Sequence, residues 1–209
     1  MAEPGVIAST TRVGYEANHN TEAGLTENQK RTLNMQEEAI RTKRNEELIV
    51  VDDQGHVVAH DFGRGARVTA SPQTQRNTKD NIVTHNHPRS IGKRGVKSIG
   101  SAFSPNDIRL AVRDNAREIR AVTPRYTFSM KRPANGWGMT GDDVTRLMTI
   151  AQRNVTRKNK DYLRNIAGWS PSRVEMAEAS HYDEVNKEFV RLAKKNFGVD
   201  IVYRHRRVH

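Results

Sequence analysis

Hydrophobic and polar positions divide the chain into blocks of different period. Residues 1 to 30 are polar, with Gly, Thr and Asn and no sustained repeat, which predicts a flexible arm or an irregular lead-in. From 27 to 44 the composition favours a helix, but Leu33, Ala39 and Ile40 are only loosely spaced, as on a surface helix. Two β-branched runs at 49–51 and 57–58 then flank Asp53-Gln54-Gly55, a turn with glycine where positive φ is needed, so a hairpin is predicted. Residues 63–80, rich in Gly, Arg, Ser, Thr and Gln, read as a long exposed loop. Ile82-Val83 starts a short strand that Pro88 stops, because proline has no N–H for a ladder. Residues 89–102 hold three glycines and four Lys or Arg, and a loop of that length is functional or disordered.

Residues 104–116 carry Ile108, Ala111 and Val112 on one helical stripe. Short strands follow at 119–123 and 126–130, joined through Pro124-Arg125. After Ala134-Asn135-Gly136-Trp137-Gly138 the period changes from 2 to 3.6. Val144, Leu147, Met148, Ala151 and Val155 form one amphipathic face that extends toward Ile166. A second helix runs from Tyr182 through Val185, Phe189, Leu192 and Ala193 to Gly198, a left-handed stop. The tail from Ile201 to Arg207 suits an edge strand with its basic side outward. Trp137 and Trp169 are expected to pack these helices on the sheet, with a place in the functional site as the alternative for Trp137. The fold class is α+β in three segments: a polar arm and helix at 1–44, a central domain at 45–135 and a basic helical C-terminal extension at 136–209.

Length and charge narrow the partners more than the fold. The 209 residues suffice for one substantial domain or a domain with an appendage. Lys and Arg outnumber Asp and Glu by 35 to 24, a net charge of +11, which favours nucleic acid, phospholipid or an acidic protein and equally fits a solvated basic surface. No cysteine is present, so disulfides and thiolate metal sites are excluded and any metal must sit on His and carboxylate. No apolar run approaches the roughly 20 residues that span a bilayer, and no apolar h-region marks a secretory signal. A soluble, cytoplasmic protein is expected.

The chemistry concentrates in Asn81-Ile82-Val83-Thr84-His85-Asn86-His87-Pro88, followed by Ser104-Pro105-Asn106-Asp107. On an extended chain alternate side chains share a face, so His85 and His87 project together and can share one metal ion. Asp107, one turn into a helix begun by Ser104-Pro105, can bring a carboxylate to the same ion. Two imidazoles, a carboxylate and water make the open four-coordinate arrangement of catalytic zinc. Each half has a plainer explanation alone. Ser at the N-cap, Pro at N1 and an acid at N3 form a capping box, and His-x-His can be a hydrogen-bonded surface pair. The two in this order are more specific than either.

His85-x-His87-Pro88 with Ser104-x-x-Asp107 resembles the signature of the JAMM (JAB/MPN+) zinc metalloproteases, over about residues 46–133. The resemblance implies a small mixed β-sheet flanked by helices, zinc on His85, His87 and Asp107, and Ser104 assisting the oxyanion. It also implies an upstream Glu as the base and cleavage of a peptide or isopeptide bond, often next to a ubiquitin-like C-terminus. Glu46 and Glu47 are the available glutamates. Alternation permits only one to face the site, and Glu47 is favoured because it shares a side with Ile49 and Val51. Residues 121–133 also resemble JAMM-like domains attached to bacteriophage head-morphogenesis proteins and toxin cassettes, which would place the chain in a host cytoplasm or virion. The spacer before Ser104 is longer than the family's usual one by a handful of residues, inserted in the basic segment 89–102. That segment would loop beside the site, there to select an acidic or nucleic-acid-associated substrate or to cap and silence it.

Two rivals remain at this level: a basic nucleic-acid-binding protein and a virion component using the same scaffold without catalysis. His85-Asn86-His87 invites comparison with HNH nucleases, but their three residues come from separate parts of a ββα motif. His56, His60 and His181 lie by a turn, a strand end and a helix start, where surface histidines are common.

Overall fold

The apolar runs build a six-stranded mixed sheet covered on both faces, described in the computed structural model for residues 20–88, 101–159 and 171–208. The strands are β1 (Glu47–Val51), β2 (Val57–Phe62), β3 (Ile82–Asn86), β4 (Glu118–Val122), β5 (Tyr126–Lys131) and β6 (Val202–Arg207), in the order β2-β1-β3-β4-β5-β6. All neighbours are antiparallel except β3 and β4. A parallel pair needs a long crossover, and this one carries α3 (Pro105–Arg113). The remaining described helices are α1 (Glu27–Ile40), α2 (Pro72–Thr78), α4 (Gly141–Lys158) and α5 (Pro171–Phe197). The expected α+β class, with a helical C-terminal region, is what forms. Among the described residues no helix is long and apolar enough to cross a membrane.

Every residue of β1, β3 and β4 is buried. On one face Leu48, Val50, Val83, Ile119 and Ala121 meet Phe103, Ile108 and the α4 and α5 residues Val144, Leu147, Phe189 and Leu192. On the other, Ile49, Val51, Ile82 and Val122 pack against Leu33 and Ile40 of α1. Segments 45–135 and 136–209 therefore share one core and, through β5 and β6, one sheet. Asp183 of α5 ties in the edge strand β6, accepting from the Tyr203 hydroxyl at 2.8 Å and lying 3.1 Å from His205 Nδ1. Gly198 takes φ 66° and ends α5, as expected. Gly55 takes φ 88° in the β1–β2 turn.

Three expectations need correction. Residues 20–30 are not a flexible arm: an irregular lead-in of turns, with Thr21 and Leu25 buried, runs to Thr26, which caps α1 with Gln29 in a capping box. Nor is α1 a surface helix, since Gln29, Leu33, Glu37 and Ile40 are buried against the sheet while Ala39 is exposed. The loop predicted at 63–80 contains α2, capped by Ser71 with Pro72 at its start. Trp137 is buried in the core and donates from Nε1 to the Ala116 carbonyl at 2.9 Å, so it packs rather than lining the site. Residues 1–19, 89–100, 160–166 and Trp169 lie outside the described residues. The described part of α4 ends at Lys158.

The interface under α1 is held by charge. Arg120 is fully buried and donates to Glu37 at 2.6 and 3.2 Å, to Glu118 at 2.8 Å and to the Thr21 carbonyl at 2.8 Å. Burial alone would favour the neutral guanidine, but Glu37 and Glu118 hold it protonated. Arg41, also buried, donates to the Thr123 and Tyr126 carbonyls at 2.7 and 3.0 Å and so anchors the β4–β5 turn. Removing one member of a buried ionic group strands the others without compensation. Arg120→Met is accordingly expected to cost about 3–5 kcal/mol in urea denaturation; a loss below about 1 kcal/mol would show that the network does not hold α1.

Candidate metal centre

The site lies where β3 ends and α3 begins. Val83, His85 and His87 fall on the α3 side by alternation, and the β1–β3 register sets Leu48 opposite His85 and Val50 opposite Val83. Continuing that register by one pair brings Glu46 level with His87. From the other side, the α3 cap presents Asp107: the Ser104 N–H donates to Asp107 Oδ2 at 2.6 Å, and the Asp107 N–H donates to Ser104 Oγ at 3.4 Å. The capping box and the candidate ligand are thus one arrangement, because the cap fixes the carboxylate that faces the histidines.

Donor atoms of Glu46, His85, His87 and Asp107 lie within 4.8 Å of one another, a group that could hold a metal ion. His85 Nε2 is 2.9 Å from His87 Nε2 and 3.5 Å from Asp107 Oδ1, and His87 Nε2 is 3.3 Å from Asp107 Oδ2. Ligands about 2.0–2.1 Å from a tetrahedral centre stand roughly 3.3 Å apart. The three edges bracket that value, so the donor set fits a small divalent cation. Imidazole with carboxylate suits zinc among such ions.

Neighbouring groups orient each ligand. His87 Nδ1 lies 2.6 Å from the Ser101 carbonyl, which can only accept. The proton therefore sits on Nδ1, and Nε2 turns to the cluster. His85 Nδ1 is buried with no hydrogen-bond partner among the described residues, and Nε2 is the nitrogen that faces the cluster. Burial would depress the His87 pKa, but Asp107, the Ser101 carbonyl and Glu46 raise it to about 9. Burial pushes Asp107 up as well, but His85 and His87 outweigh it and hold Asp107 well below the usual carboxylate range. Burial, opposed by the two imidazoles, raises Glu46.

The two candidate glutamates part company here. Glu47 points to the opposite side, 2.7 Å from Lys43 Nζ and 2.9 Å from His60 Nε2, and does not reach the cluster. Glu46 stands in the place favoured for Glu47. The preference failed because it supposed one apolar face on β1, whereas Ile49 and Val51 pack under α1 while Leu48 and Val50 share the side of Glu46. Sequence reasoning also passed over Asn86. Its side chain projects away from the histidines, accepts from the Glu47 N–H at 2.7 Å and donates to the Asn45 carbonyl at 3.1 Å. It thereby fixes the backbone on both sides of Glu46. The signal was available in alternation: a polar residue between two ligands faces the other way. His56, at the hairpin turn, and His181, on α5, belong to other surroundings, near Asp52 and Gln152.

The cluster opens into a cleft of about 540 Å³ bounded by Ala66, Arg67, Val68, Pro88, Ser101 and Asn106, with Ser104 in its wall. No protein-family model matches the chain, and neither a curated protein nor a solved structure matches it.

Two outcomes test this geometry. A ligand histidine must be neutral, so ion binding displaces the His87 proton. Protonated His87 dominates below about 9. Zinc affinity is therefore expected to rise about tenfold per pH unit from about pH 6 and to flatten near the His87 pKa, with about one proton released at pH 7. Calorimetry in buffers of different ionisation enthalpy measures this, and a pH-independent affinity would refute it. Asn86→Ala is expected to cost about 2–3 kcal/mol through unpaired buried groups, and to leave zinc binding within a few-fold while displacing Glu46. An unchanged melting temperature would refute the anchoring role.

Proposed function

We propose that this chain is a zinc-dependent hydrolase of the JAMM type that cleaves a peptide or isopeptide bond in a protein substrate. A bond next to a ubiquitin-like C-terminus is the form the sequence resemblance suggests. The observation that carries the reading is the convergence of Glu46, His85, His87 and Asp107 from three separate parts of the chain, within 4.8 Å, at the mouth of a cleft.

His85, His87 and Asp107 would hold the ion. A bound zinc ion supplies a Lewis acid and lowers the pKa of a coordinated water to about 7. Glu46, raised by burial and adjacent to both imidazoles, is placed to take a proton from the attacking water and deliver it to the departing amine. Ser104 Oγ accepts from the Asp107 N–H, so its own hydrogen is free to donate toward the cleft. There it stabilises negative charge as the scissile carbonyl oxygen acquires it. Water adds across the C–N bond, giving a carboxylate and an amine.

Elemental analysis of the purified chain beside His85→Ala/His87→Ala is the primary test. About one zinc per chain, lost in the double variant, is expected for a site of this donor set. Absence of metal after zinc addition would overturn the reading and leave a capped helix beside a polar strand end. Glu46→Gln is expected to keep the zinc and lower kcat by about 10²–10⁴ on fluorogenic peptide or ubiquitin-like fusion substrates, while Glu47→Gln stays within a few-fold. Equal effects of the two substitutions would remove Glu46 from the base role.

A further inference from the structure

The cleft at the metal cluster adjoins a second one. This neighbour, of about 690 Å³, shares Val68, Thr69 and Asn106 with the first. Each alone has the size of a small-molecule site, about 300–1,000 Å³. Joined end to end they are better matched to a length of chain. Leu110, Val112 and Met139 give the second cleft an apolar floor, which suits alternate side chains of an extended peptide.

Its charge is directional. Arg67 borders the metal-side cleft and Arg109 the neighbouring one, so the two stand on either side of the shared wall. Both are exposed, and neither guanidinium has a hydrogen-bond or ion-pair partner among the described residues. The other arginine there, Arg113, is engaged by Asp114 through two contacts of 2.6 Å. Of the acids, Glu46 and Asp107 belong to the metal cluster, and Asp142 lines the second cleft next to Gly141, beside which the Arg109 side chain lies. Two unengaged guanidiniums over an apolar floor complement carboxylates on an extended chain. Single-stranded nucleic acid would need aromatic faces for its bases, and no Phe, Tyr or Trp lines either cleft among the described residues.

We propose that the two clefts form one channel that binds an acidic polypeptide in extended form, with Arg67 and Arg109 reading its carboxylates on either side of Val68 and Thr69. This deepens the hydrolase reading by naming the substrate class, and it rests on that reading only for the position of the scissile bond.

The test measures binding apart from turnover. Full-length Glu46→Gln protein is titrated, by fluorescence anisotropy at low and moderate salt, against a labelled peptide of alternating Glu and Val and its twin with Gln for Glu. The acidic peptide is expected to bind at least about tenfold tighter. Arg67→Gln and Arg109→Gln should each weaken it about fivefold, leaving the Gln twin unchanged. Arg153→Gln, on the exposed face of α4, should alter neither. Equal affinity for the twins, an equal loss in Arg153→Gln, or displacement of the peptide by an oligothymidylate with the same arginine dependence would overturn the channel. The two readings separate cleanly. Zinc-dependent cleavage without preference for the acidic twin would sink the channel and spare the hydrolase. Arginine-dependent binding in a chain that takes up no zinc would do the reverse.

Discussion

The arrangement depends on β3 being buried on both faces while carrying different chemistry on each. Val83, His85 and His87 look toward α3, and Ile82, Thr84 and Asn86 look toward α1. A slip of one residue against β1 would exchange the two imidazoles for Thr84 and Asn86 and strand both sets of partners. Each face opposes the slip independently. Val83 fits among Phe103 and Ile108, while Thr84 donates to Glu37 at 3.1 Å, joining the charge network that binds Arg120. The network under α1 is thus part of what keeps the histidines on the opposite side of the sheet.

A second economy lies at the start of α3. A helix N-terminus leaves backbone donors that need acceptors, and an acid at N3 satisfies one of them. Asp107 does so for the Ser104 N–H while its carboxylate also faces His85 and His87. The cap therefore restrains the side chain before any ion arrives. Preorganisation of this kind lowers the ordering cost of binding. The plain explanation of Ser104-x-x-Asp107 and the proposed one draw on the same hydrogen-bonded turn.

What could be read in advance followed from local periodicity. The hairpin about Gly55, the stop at Gly198, the Ser104 cap and the shared side of His85 and His87 all rest on residues near in sequence. The misses share a different cause. Residues 72–78 of α2 contain no large apolar residue, so no hydrophobic period marks them, although Ser71-Pro72 repeats the Ser104-Pro105 start. The inner face of α1 pairs Leu33 and Ile40 with Gln29 and Glu37, polar residues whose partners are distant in sequence: Asp52 for one and Arg120 for the other. Glu46 and Glu47 could not be separated by pattern, because both neighbouring sides of β1 are apolar and buried. That the helices beyond residue 136 complete the central core, instead of extending from it, is likewise a fact of long-range contact.

The state of the cluster without an ion explains how so much polarity persists inside the fold. Four ionisable groups packed this closely would repel or stay desolvated if each kept its ordinary protonation. Instead Asp107 is held ionised and His87 retains a proton up to about 9, so a positive charge already occupies the site. A metal ion would replace one cation by another, with little change asked of Ser101, Ser104 or Asn86 behind the ligands. An ion entering the cluster would therefore compete with the His87 proton.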